Sequence, residues 1–226
     1  MSITRIAVLA FLLAAIGSSV SADLACVELG YIGSLSTTGG GLSYLAGNHG
    51  ASWTPVTINW NVNRNANGSW HYTYDLSAGR DFSHFILETS NAFTCRDIFN
   101  ACGPYGSLGV GTWNPGPSNE HMPRSLYGIK FDSTSGTKLH IVFDSTKAPV
   151  WGDFYVRDGK GYEAWNKGFD GVDPTVGPSN GSVGYHILRP DSDSCPKPVP
   201  EPGTMALMAL GLTGLGWVRR RRGAKA

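Results

Sequence analysis

Four acidic residues, Glu88, Glu120, Asp153 and Glu163, are the candidates for a carboxylate pair of the kind that glycoside hydrolysis uses. Such a pair works across a cleft with its two groups about 5 to 9 Å apart, and linear spacing places no two of these together. Asp170-Gly-Val-Asp173 and Asp191-Ser-Asp193 carry oxygen ligands suited to calcium, but neither matches an EF-hand loop. Solvated turn aspartates are the expectation for both. His71, His84, His140 and His186 each fall in a strand-like run, where a packed or surface role outweighs a ligand role. Glu120 and His121 are neighbours in sequence, so on an extended chain they point to opposite faces. The sequence lacks an H-E-x-x-H pair, a phosphate-binding loop and a dinucleotide fingerprint. No catalytic residue, metal ligand or cofactor is therefore expected. Of six tryptophans between residues 23 and 198 (Trp53, Trp60, Trp70, Trp113, Trp151, Trp165), Trp113 lies between Gly111 and Pro115-Gly-Pro117. It is the one expected in a loop and exposed, a candidate platform for a sugar.

The elements that would position these residues read as strands. Apolar residues alternate through Val56, Ile58, Trp60 and Val62, and again through Trp70, Tyr72, Tyr74 and Leu76, with Asn67-Gly68 between as a hairpin turn. His84–Thr89 is a denser apolar run suited to a buried strand. Ser125–Phe131 and Lys138–Phe143 flank Ser135-Gly136 and read as a second hairpin, Val150–Arg157 ends at Asp158-Gly159, and Val183–Leu188 reads as a last strand. Ser90–Phe99 has room for one or two helical turns, and the glycine-rich stretches Ser34–Ala51 and Gly103–Ser118 read as loops. Short strands separated by Gly, Asn, Pro and Ser turns predict a mainly β, antiparallel sandwich, with a jelly roll or closed barrel as alternatives.

All four cysteines (Cys26, Cys95, Cys102, Cys195) lie in this region, and an even count in an exported chain favours disulfides. Three pairings are open. The short turn-rich segment between Cys95 and Cys102 favours a local bridge, with Cys26–Cys195 tying the ends. The 226 residues carry a formal charge of +1, but Arg5, Arg219, Arg220, Arg221, Arg222, Lys225 and Glu201 belong to the two ends. Residues 23–199 thus carry a net charge of −4 and offer no footprint for nucleic acid.

The ends read as addresses. Arg5 followed by the apolar run Ile6–Ile16, then short residues up to Ala22, predicts a signal peptide over residues 1–22 with a signal helix and cleavage between Ala22 and Asp23. Its apolar run is too short to cross a membrane. The general secretory machinery is the partner this implies. Residues 23–195 form the exported domain and 196–203 a proline-rich linker. Residues 204–218 form a short transmembrane helix and 219–226 a basic tail that stays cytoplasmic, so the precursor spans the membrane once.

Val199-Pro200-Glu201-Pro202-Gly203, a short apolar helix and the cluster Arg219, Arg220, Arg221, Arg222 together resemble the PEP-CTERM sorting signal of Gram-negative bacteria. The tail is also catalogued under the name of an ice-binding-protein C-terminal motif, a label that carries no ice-binding role. The resemblance implies recognition by exosortase and cleavage near Pro-Glu-Pro. It further implies a mature form at the cell surface or outside the cell, in a species that makes extracellular polysaccharide. Ser83–Thr89, Met122–Phe131 and Ala148–Tyr155 also resemble segments recurring in such exported proteins, a likeness that transfers no site. A structural or adhesive protein without catalysis is the first expectation. A carbohydrate-binding module follows, then a hydrolase.

Overall fold

A computed structural model of the chain describes residues 30–46 and 53–192. In chain order the strands are β1 (Tyr31–Ser36), β2 (Leu42–Leu45), β3 (Thr57–Arg64), β4 (Trp70–Ser77), β5 (His84–Glu88), β6 (Ile98–Cys102) and β7 (Ser107–Trp113). They continue with β8 (Leu126–Asp132), β9 (Lys138–Ser145), β10 (Ala148–Gly152), β11 (Phe154–Arg157), β12 (Glu163–Asn166) and β13 (Ile187–Ser192). One sheet has five strands in the order β1-β3-β4-β9-β6, and the other has six in the order β2-β12-β11-β5-β8-β7. Neighbours pair antiparallel in both, and β10 with β13 forms a separate two-stranded ribbon. The two sheets form a sandwich. The helical element among the described residues is a single 3-10 turn, Lys167–Asp170, and none of those residues belongs to a helix long and apolar enough to cross a membrane.

The period-two pattern builds the five-stranded sheet. Trp60 stands opposite Tyr74 and Tyr74 opposite Ile141, with Val62–Tyr72–Phe143 in the next row and Ile58–Leu76–Leu139 in another. All nine side chains are buried, whereas Asn59, Asn61, Asp75 and His140 on the other face are exposed. Each buried apolar side chain contributes about 2 kcal/mol on leaving water. The second sheet closes over this face through Tyr74–Phe85 and Phe131–Phe143, with ring centroids 5.8 and 6.0 Å apart. On the solvent face His71 pairs with Asp144 (2.8 Å) and His140 with Asp75 (2.7 Å), each directly across the β4–β9 ladder. These are cross-strand hydrogen-bonded pairs.

The β3–β4 hairpin turns at Asn67-Gly68, where Gly68 takes φ +86°, the left-handed conformation that such a tight turn requires. Ser135-Gly136 does not close a second hairpin. β8 joins the six-stranded sheet between β5 and β7, and β9 joins the five-stranded sheet. β8 is buried on both faces while β9 alternates, and a turn dipeptide carries no information on which layer each strand enters. The glycine-rich stretches also differ from expectation, because the end of β1 and all of β2 fall in the first and β7 in the second. Ser90–Phe99 forms turns and the start of β6 instead of helix. The run 150–157 breaks at Asp153 into β10 and β11, and the last strand lies later than its apolar pattern, at Ile187–Ser192.

The expected Cys95–Cys102 bridge is not formed, and both residues are exposed free thiols. β6 pairs Ile98 with Ser145 and Cys102 with Val142, so three residue steps, about 10 Å, already separate Ile98 from Cys102. Cys102 thus lies at the far end of β6 from the turn that holds Cys95. Cys26, Cys195, the signal peptide with Ala22 and Asp23, the sorting motif, the expected transmembrane helix and the basic tail lie outside the described residues.

Candidate functional site

The six-stranded sheet has a second covered face. β5 points Phe85 and Leu87 into the sandwich core and His84, Ile86 and Glu88 the opposite way, yet all five residues are buried. Ile86 and Tyr155 pack there with Met122 from the segment before β8, Leu126 at the start of β8 and Phe169 of the 3-10 turn. Polar residues that follow the same alternation therefore end up beneath chain rather than in water.

At one end of this face the strand ends gather a charged cluster. Glu88 closes β5, Asp153 occupies the break between β10 and β11, Asn166 closes β12 and Arg189 lies on β13. Arg124 Nη2 donates to both Asp153 Oδ2 (2.6 Å) and Glu88 Oε1 (3.2 Å), and the Asp153 N–H donates to Glu88 Oε2 (2.8 Å). Asn166 donates to Asp153 Oδ1 at 2.6 Å. Arg189 Nη2 donates to Asp173 Oδ2 (2.8 Å), with Asp191 Oδ2 2.7 Å from Nη1 and Glu88 Oε2 3.4 Å from Nε. Gly152 makes room for that guanidinium, since a Cβ there would meet Arg189 and Glu88. Burial raises the pKa of both Glu88 and Asp153; Arg189 pulls Glu88 back, while the Asn166 hydrogen bond and Arg124 pull Asp153 back. Burial works against the charge of Arg189, but Glu88, Asp191 and Asp173 hold its pKa above the ordinary value.

A second group sits at the other end of the β11–β12 ladder, where Arg157 stands opposite Glu163. Arg157 Nε lies 3.3 Å from Glu163 Oε1, and the backbone N–H of His121 donates to Glu163 Oε2 (3.0 Å), with His121 Nδ1 3.1 Å from that oxygen. Glu120 is exposed, with Oε2 3.8 Å from Arg157 Nη2. The four carboxylates thus sort into two pairs at opposite ends of one ladder, Glu88 with Asp153 and Glu120 with Glu163. Each pair shares an arginine, and neither lines the surface depressions of about 590, 370 and 310 Å³.

Trp113 differs from its expectation in place and exposure. It is the last residue of β7, half-buried, with Nε1 donating to the Gly128 carbonyl (3.0 Å) and Lys130 Nζ 5.3 Å from its ring centre. The lysine lies over one face of the ring. Of the other tryptophans, Trp53, Trp60, Trp70 and Trp151 are buried. Two of the aspartates depart from the solvated expectation, because Asp173 and Asp191 both bind Arg189, while Asp170 is exposed as expected and Asp193 lies outside the described residues. Arg124, Asn166 and Arg189 carried no sequence signal. They come from separate segments, and only the packing of strand ends assembles them.

Residues 198–222 match the PEP-CTERM protein-sorting motif. The motif implies processing by exosortase, and proteins that carry it are exported and sorted to the cell surface. Neither a curated protein nor a solved structure matches the chain.

Proposed function

We propose that the β-sandwich is the presented part of an exported surface protein, structural or adhesive in role and without catalysis. Its setting is the extracellular polysaccharide of a Gram-negative bacterium. The observation that carries this reading is the sorting motif at residues 198–222, C-terminal to the sandwich. The internal chemistry supports it. The paired carboxylates are shared with Arg124, Arg189 and Arg157, so their charge is spent on holding strand ends together. A general acid or base needs a free position toward a substrate proton, and Asp153 and Glu163 are fully buried. The carbohydrate-binding alternative rested on an exposed Trp113, and Lys130 over that ring weakens it.

The test is surface display in cells that contain exosortase. Replacing Pro200, Glu201 and Pro202 by alanine is expected to reduce surface-exposed protein at least about tenfold, with the uncleaved precursor accumulating in the inner membrane. Unchanged display by the substituted chain contradicts the reading.

A further inference from the structure

Three side chains in the charged cluster share an arrangement that ion pairing alone does not explain. Asp153, Asp173 and His186 each bring one donor atom to a common point, and the three atoms lie within 4.8 Å of one another. In each residue the other polar atom is already held by the protein, and of the three donor atoms Asp153 Oδ1 also accepts from Asn166 (2.6 Å), which leaves it a second lone pair. Asp153 Oδ2 accepts from Arg124 (2.6 Å) and Asp173 Oδ2 from Arg189 (2.8 Å). His186 Nδ1 faces the Val183 carbonyl at 3.1 Å, so Nδ1 carries the proton it donates, and in the neutral ring Nε2 is the atom with the lone pair. That Nε2 has no hydrogen-bond partner although His186 is 3% exposed, and Asp173 Oδ1 has none either. Nε2 points at Asp153 Oδ1 (3.5 Å) and Asp173 Oδ1 (3.7 Å), too far for good hydrogen bonds. Tetrahedral zinc with bonds of about 2.0 to 2.1 Å separates its ligand atoms by about 3.3 Å, close to these spacings.

The geometry points to a divalent transition-metal site formed by Asp153 Oδ1, Asp173 Oδ1 and His186 Nε2. One imidazole with two carboxylates suits zinc or manganese better than calcium, which takes oxygen ligands. The surrounding hydrogen bonds are those that orient metal ligands, a backbone carbonyl behind the histidine and charged donors behind the carboxylates. Charge agrees as well. Among the described residues, the arginines that face Glu88, Asp153, Asp173 and Asp191 are Arg124 and Arg189, and with His186 neutral a divalent cation balances the two remaining negative charges. Three protein donors leave the fourth position to water, reached from Asp173, the most exposed of the three side chains. The ion would staple the segment between the 3-10 turn and β13 to the break between β10 and β11. The site is independent of the sorting motif and requires no catalysis.

The experiment is zinc titration of the full chain in detergent after chelator treatment, with the bound metal counted and thermal unfolding followed. One equivalent of zinc is expected, with a rise in Tm. Asp173→Asn, in a partly exposed loop, should keep the fold, bind at least about tenfold more weakly and lose the Tm rise. His121→Ala should bind as the unsubstituted chain does. Cobalt in place of zinc should show no thiolate charge-transfer band, which separates this site from the exposed Cys95 and Cys102. A folded chain that takes up no zinc overturns the proposal, as does binding unaffected by Asp173→Asn or a cobalt–thiolate spectrum.

Discussion

His84 lies on the covered outer face of the six-stranded sheet, 3% exposed, with its ring stacked on Tyr155 at 5.9 Å. Burial lowers its pKa from 6.5 to about 4, helped by Lys130 and Arg157 and opposed by Asp132. The folded state therefore refuses a proton that the unfolded chain accepts throughout the window between these values. Stability contributed through His84 falls as pH drops from 6.5 toward 4, by about 3 kcal/mol over the full interval. Urea unfolding of the chain at pH 7 and pH 4.5, compared with His84→Gln, should show a shallower pH slope in the variant. Equal slopes would contradict this. At the same scale, the strand-like runs around His71, His84, His140 and His186 pointed to a packed or surface place for each, but not which place falls to which. His71 and His140 turned out to be surface partners of aspartates, His84 a buried neutral ring, and His186 an oriented one. These fates depend on neighbours in other strands, which adjacent residues do not encode.

At the scale of elements, the strands that alternate strongly were readable, because one face of β3, β4 and β9 is wet and the other dry. β7 was hidden because its glycines Gly109 and Gly111 leave no apolar period, and β6 because it is a mostly exposed edge strand. The layer change between β8 and β9 was equally invisible, since it follows from which faces are covered. Gly128 shows how closely the covered sheet is built. A Cβ at this position in β8 would meet the Leu87 carbonyl group and lie 2.9 Å from the Glu88 Cα, both backbone atoms of the neighbouring β5. Gly128→Ala is thus expected to cost about 3 kcal/mol, because a backbone neighbour in a sheet centre cannot yield as a flexible side chain can. Chemical denaturation measures it, and a loss below about 1 kcal/mol would show that β5 and β8 separate more easily than their geometry indicates.

For the whole molecule, the two ends and the sandwich do different work, and their charges show it. Six positive charges and one negative lie in the ends, leaving residues 23–199 at −4. The tail could be read directly because its signal is linear, with a proline motif, an apolar run and an arginine cluster in fixed order. The charged cluster could not, because Glu88, Arg124, Asp153, Asp173 and Arg189 span a hundred residues and meet only when strand ends are stacked. The central claim, that the sandwich reaches the surface through processing at both ends, is tested most directly by intact-mass measurement of the protein recovered outside the inner membrane. The mass should correspond to a chain that begins at Asp23 and has lost Arg219, Arg220, Arg221 and Arg222. A surface species that still contains the arginine cluster would contradict it.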